Sequence, residues 1–143
     1  MARKILACDD EASILHLVRA NLERAGYQVV TAMDGREALG QVDRERPDLV
    51  ILDVMMPYED GFGVLQEIRR RPDTRDLPVI LLTAKYSDAD AHRVWQEGAD
   101  CFLTNPFNPE ELLTFVGRIF EATDGNNGVP PGKASSQETT TTQ

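Results

Sequence analysis

Pro47-Asp48-Leu49-Val50-Ile51-Leu52-Asp53-Val54-Met55-Met56-Pro57 is the stretch on which the fold turns. Its apolar run, Leu49 to Leu52, is short and shows no polar alternation, which predicts a strand buried on both faces. Such strands belong to parallel sheets covered by helices on either side. The run ends on a carboxylate, Asp53, and Pro47 closes the helix before it.

The same pattern recurs outward from this point. Ile5-Leu6-Ala7-Cys8 and Pro78-Val79-Ile80-Leu81-Leu82-Thr83 predict two more buried strands, and Tyr27–Ala32 and Asp100–Thr104 a further two. Between them lie amphipathic stretches. Ile14, Leu15, Leu17, Val18 and Leu22 recur at helical spacing before Gly26, and Asp34 can cap a helix carrying Ala38, Leu39 and Val42. Val64, Leu65 and Ile68 mark a third helix, Ala91, Val94 and Trp95 a fourth, and Pro109–Phe120 a fifth. Strict strand–helix alternation predicts an α/β fold, a doubly wound five-stranded parallel sheet. Residues 1–123 are expected to form this domain. Residues 124–143 carry almost no large apolar side chain and are expected to be a flexible tail or linker.

The chain has 143 residues, 15 basic against 24 acidic, and a net charge of −9, which argues against direct nucleic-acid binding. No apolar run approaches the roughly 20 residues of a membrane helix. The opening Met1-Ala2-Arg3-Lys4-Ile5-Leu6 is no signal peptide, so a cytoplasmic location is expected. Cys8 and Cys101, on the first and fifth strands, are expected to remain free thiols. His16 and His92, on predicted helices, are read as surface residues.

Open sheets of this kind place their chemistry beyond the carboxyl ends of the strands. Asp9 and Asp10 follow the first strand and Asp53 ends the third. In the order 2-1-3-4-5 those strands are neighbours, and the three acids converge. An all-oxygen cluster of that kind suits Mg²⁺ or Mn²⁺. The competing reading, Asp9 and Asp10 as mere caps of the first helix, accounts for one pair but not for the third acid.

With these residues in view, the chain resembles a bacterial two-component response-regulator receiver domain, of the chemotaxis-regulator type with its flavodoxin-like (βα)5 fold. The matching motifs are Leu6–Glu11, Pro47–Pro57 with Asp60-Gly61, Pro78–Ala84, Glu97–Asp100 and Leu103–Phe107, spanning roughly residues 3–122. The resemblance implies that Asp53 is the phosphoacceptor. It implies that Asp9, Asp10, Asp53 and the Met55 carbonyl hold magnesium, and that Thr83 and Phe102 are the switch residues. No separate substrate is implied, only a part in the chain's own Mg-dependent phosphorylation and dephosphorylation. The implied partners are a sensor histidine kinase or phosphotransfer protein, and a downstream target at the face of the fourth helix, fifth strand and fifth helix. A homodimer through that face is also implied by Asp100 and Glu111, although Phe115 and Gly117 stand where dimerising regulators often carry basic residues.

Asn105 departs from the family pattern, which has Lys before the Pro-Phe pair. Three carboxylates and one divalent ion leave a formal charge near −1 that Asn cannot offset. Losing one preorganised donor costs about 10²–10³ in rate. Lys85 is a compensating cation only if it leans inward, and an exposed loop position is the plainer expectation. Asn105 therefore also motivates an alternative, a phosphate-independent binding module of the same fold. A small flavodoxin is disfavoured, because the loop after the first strand is acidic. A haloacid-dehalogenase-type phosphatase is disfavoured, because Asp53-Val54-Met55 lacks a second Asp.

Overall fold

The structure, a computed structural model, describes residues 2–54, 56, 60–83, 98–104 and 107–125. In chain order these form β1 (Lys4–Cys8), α1 (Ala12–Arg24), β2 (Gln28–Ala32), α2 (Gly35–Glu45), β3 (Leu49–Asp53), α3 (Gly61–Arg70), β4 (Val79–Thr83), β5 (Cys101–Thr104) and α4 (Pro109–Gly125). The predicted helix of Ala91, Val94 and Trp95, with His92, lies outside the described residues. Accordingly α4 is the fifth helix of the predicted order.

The strands form one parallel sheet in the order β2-β1-β3-β4-β5. Each strand divides its side chains between two layers, as a period of two requires. Ile5, Ala7, Leu49, Ile51, Ile80, Leu82 and Leu103 pack with Leu15, Val18 and Leu22 of α1 and Leu112, Val116 and Ile119 of α4. Leu6, Cys8, Val50, Leu52, Val79 and Leu81 face the other way, onto Ala38 and Val42 of α2 and Val64, Leu65 and Ile68 of α3. All five residues of β3 are buried, which is why Leu49 to Leu52 form an unbroken apolar run up to Asp53. Truncating one such leucine to alanine costs about 2–5 kcal/mol.

Local signals bound α1 and α2 where the sequence placed them. Asp34 Oδ1 accepts from the Glu37 N–H at 2.8 Å, and the Glu37 carboxylate accepts from the Met33 N–H at 2.8 Å, so the two side chains close the start of α2. Gly26 leaves α1 with φ +102°, a left-handed conformation that suits glycine. One expectation fails in detail. Leu17 is 39 % exposed, because α1 turns Leu15, Val18 and Leu22 inward and leaves Leu17 outside that stripe. The last helix continues beyond Phe120 to Gly125, with Thr123 Oγ1 donating to the Ile119 carbonyl at 2.9 Å.

Cys8 and Cys101 are free thiols, on strands separated by β3 and β4 and on opposite faces of the sheet. No described helix is long and apolar enough to cross a membrane.

Candidate functional site

The register of the central strands assembles the site. Cys8 lies opposite Leu52 in the β1–β3 pair, so Asp9 and Asp53 leave adjacent strands side by side. The chain is tied down just past each strand end. The Asp9 N–H donates to the Ala32 carbonyl at 3.1 Å, and the Val54 N–H to the Leu82 carbonyl at 2.9 Å.

Asp9, Asp10 and Asp53 each offer a carboxylate oxygen to one cluster, all within 4.8 Å of one another. Asp9 and Asp53 are buried and Asp10 is exposed. Asp9 Oδ1 accepts from the Glu11 N–H at 2.9 Å. Its other oxygen, Oδ2, is buried without a hydrogen-bond partner among the described residues. Burial pushes the Asp9 carboxyl above its ordinary value, and the charges of Asp10 and Glu11 add to the rise. The Glu11 N–H acts the other way, and so does the Asp53 side chain, which can hydrogen-bond Asp9 only while one of the two carboxyls holds a proton; with both ionised they repel.

Helix capping does not explain this arrangement. The N-cap of α1 is Glu11, which makes no side-chain capping bond. A divalent cation does fit. Two like charges within 4.8 Å of one another repel by at least about 3.5 kcal/mol at an effective dielectric near 20, and a bound cation would offset that cost. It would also give the orphaned oxygen a partner, and an all-carboxylate donor set is the one hard cations take.

The segment after β3 is anchored by two residues whose role a sequence reading did not assign. Asp60 Oδ1 accepts from the Gly63 N–H at 2.8 Å and caps α3. Gly61 is buried, and its N–H donates to the Val54 carbonyl at 2.9 Å. Asp60-Gly61 looks like ordinary helix-start chemistry. Only the fold shows that the glycine lies on the Asp53–Val54 peptide.

The other expected site residues divide. Thr83 closes β4 in register with Thr104, and its side chain lies outside the described residues. Phe102 sits on β5 opposite Leu81 and is half-buried against the α2–α3 layer. Met55, Lys85 and Asn105 lie outside the described residues. Asp100 is engaged within the chain, where its Oδ2 accepts from the Arg69 guanidinium at 3.0 Å and from the Val79 N–H at 2.8 Å. Arg69 also donates to the carbonyls of Gly98, Arg75 and Leu77. This node ties α3 to the starts of β4 and β5. Glu111 is exposed near the start of α4.

Comparison with known proteins follows the same lines. The family described as "Response regulator receiver domain" matches residues 5–117. The chain is 43 % identical over 124 residues to the alkaline phosphatase synthesis transcriptional regulatory protein PhoP of Bacillus subtilis, covering 87 % of this chain and 51 % of that one. It is 43 % identical over 121 residues to the DNA-binding dual master transcriptional regulator RpaA of Synechocystis, covering 85 % of this chain and 50 % of that one. It thus spans about half the length of these curated relatives. Among solved structures, the chemotaxis response regulator CheY4 of Vibrio cholerae superposes with a TM-score of 0.78 at 39 % identity, covering 82 % of this chain and 98 % of that one.

Proposed function

The chain belongs to the response regulator receiver domain family, and from that premise we propose that Asp53 is its phosphoacceptor and that Asp9, Asp10 and Asp53 hold Mg²⁺ or Mn²⁺. The role is that of a phosphoacceptor module in two-component signalling. The observation that carries the residue assignment is the convergence of three carboxylates, two of them buried, at the ends of adjacent strands.

In the transfer, an oxygen of the Asp53 carboxylate bonds to phosphorus as the bond from phosphorus to the donor breaks. With a phosphohistidine donor the imidazole nitrogen leaves with the electron pair and takes up a proton. The shallow burial of Asp53, 6 % exposed at the strand end, supports in-line access to a donor while excluding most water. A divalent cation held by Asp9, Asp10 and Asp53 would supply positive charge to the phosphoryl oxygens. The Glu11 N–H engages Oδ1 of Asp9, which leaves the orphaned Oδ2 for a cation.

The donor is a sensor histidine kinase or phosphotransfer protein, in the cytoplasm. The output is altered binding of a target at the face that includes β5 and α4, with Thr83 and Phe102 as switch residues. The relatives named as transcriptional regulators support a target linked to transcription. The phosphate-independent module is the lesser reading, since it has no use for three clustered acids.

The test is incubation of the full chain with acetyl phosphate and Mg²⁺, followed by intact mass. Addition of one phosphoryl group, dependent on Mg²⁺, is the expected result. No addition under conditions that label another receiver domain overturns the phosphoacceptor reading.

A further inference from the structure

We propose that Gly61 is a positioning residue for the phosphoacceptor, acting through the backbone that carries Asp53. The inference rests on the assignment of Asp53 above and extends it to a residue that touches no reacting atom. A Cβ at position 61 would lie 2.4 Å from the Asp53 carbonyl oxygen, 2.9 Å from the Val54 Cα and 3.0 Å from the Asp53 carbonyl carbon. Every one of these atoms is backbone, so no side chain can swing aside.

Neither wall yields easily. On one side, Asp53 pairs with Leu82 and the Val54 N–H donates to the Leu82 carbonyl at 2.9 Å, fixing the peptide to β4. On the other, α3 is held by buried Phe62, Val64, Leu65 and Ile68. The bond from the Gly61 N–H to the Val54 carbonyl, 2.9 Å, joins the two. An ordinary carbon–oxygen contact needs roughly 1 Å more room than the 2.4 Å available. A shift of that size exceeds the roughly 0.5 Å tolerance of a preorganised site. A misplacement near 1 Å can cost about a hundredfold in rate. Positioning changes of this kind typically weaken metal binding about 10–100-fold.

The experiment compares the full-length parent with Gly61→Ala, Gly40→Ala and Val116→Ala. A Cβ at Gly40 would meet nothing within 4 Å, and Val116 is buried in the layer opposite α3. Val116→Ala therefore controls for lost stability alone. For each protein, Mg²⁺ affinity, the rate of phosphorylation by acetyl phosphate, and the amide shifts of Asp53, Val54 and Leu82 in metal-free buffer are measured well below its melting temperature. Gly61→Ala is expected to bind Mg²⁺ at least about tenfold more weakly, to phosphorylate about 10–100-fold more slowly, and to move those three amides. The two controls stay near the parent. Asp60→Ala, which loosens the first turn of α3 without adding an atom, gives a second arm should Gly61→Ala not fold. It too must weaken Mg²⁺ binding and slow phosphorylation. Parent-like values in whichever of these two variants folds, or equal losses in Val116→Ala, overturn the proposal. A parent that takes up neither Mg²⁺ nor phosphoryl overturns the assignment of Asp53 and the proposal with it, whereas altered amide shifts separate the two failures.

Discussion

Replacing Asp9 by asparagine should make the metal-free protein more stable and the metal-loaded protein less responsive. In the native state Asp9 is 2 % exposed, with one oxygen bonded to the Glu11 N–H and the other without a partner among the described residues. The Asp9→Asn side chain keeps an acceptor for that N–H and replaces the orphaned oxygen with a donor. At separations up to 4.8 Å, removing the Asp9 charge relieves about 3.5 kcal/mol of repulsion with buried Asp53 at an effective dielectric near 20. Asp10 is exposed, and its repulsion adds about 1 kcal/mol at most. Imperfect pairing of the amide takes back about 1–3 kcal/mol. The net gain is about 1–3 kcal/mol, or a rise in melting temperature of about 4–12 °C for a domain of this size. Thermal and urea unfolding in EDTA read this directly. In Mg²⁺ the order should narrow or reverse, since the parent gains about 2.7 kcal/mol at a hundredfold excess over Kd and the variant much less. A variant less stable than the parent in EDTA would refute the electrostatic reasoning.

Asn105→Lys supplies a cation where the family carries one, and phosphorylation by acetyl phosphate about 10²–10³-fold faster is expected; an unchanged rate identifies Asn105 as a tolerated substitution. Arg69→Ala leaves the 20 % exposed Asp100 carboxylate and three carbonyls short of a donor, and should cost about 3 kcal/mol in urea unfolding, a loss below about 1 kcal/mol ruling out the node as a structural clamp. Burial pushes the Cys101 thiol up to about 12 and the Cys8 thiol well above its ordinary value, so neither should react with iodoacetamide at pH 8 until the chain unfolds. Because the folded thiols stay neutral where unfolded ones ionise, they contribute stability that is complete below about pH 8.5 and falls as pH rises above it. A flat stability profile from pH 8 to 10 in the Cys8→Ala/Cys101→Ala variant, against a falling one in the parent, is the expected comparison.

The centre of the sheet was legible because the apolar runs of β1, β3 and β4 are buried on both faces and lack polar interruptions, as in Leu49 to Leu52. The acidic cluster was legible because adjacency of β1 and β3 follows from the predicted order, and their carboxyl ends carry the acids. Asp34 was legible as a cap because capping is local. Leu17 was not, because helical spacing defines a stripe whose edge only packing can draw. Arg69 was hidden among Arg70 and Arg71, which look alike in sequence. Only the tertiary approach of Gly98 and Asp100 separates it from them. Gly61 was quoted as part of a motif, but its function depends on the backbone of Asp53 and Val54, to which no local pattern points.

Chemical localisation of the phosphoryl group decides whether Asp53 is the acceptor. Borohydride reduction of the protein treated with acetyl phosphate and Mg²⁺ converts an aspartyl phosphate to homoserine, and peptide mass spectrometry then reads its position. Homoserine at position 53 alone, absent without Mg²⁺, is the predicted result. Homoserine at any other aspartate, or unmodified Asp53 in a protein whose mass shows a bound phosphoryl group, would contradict it.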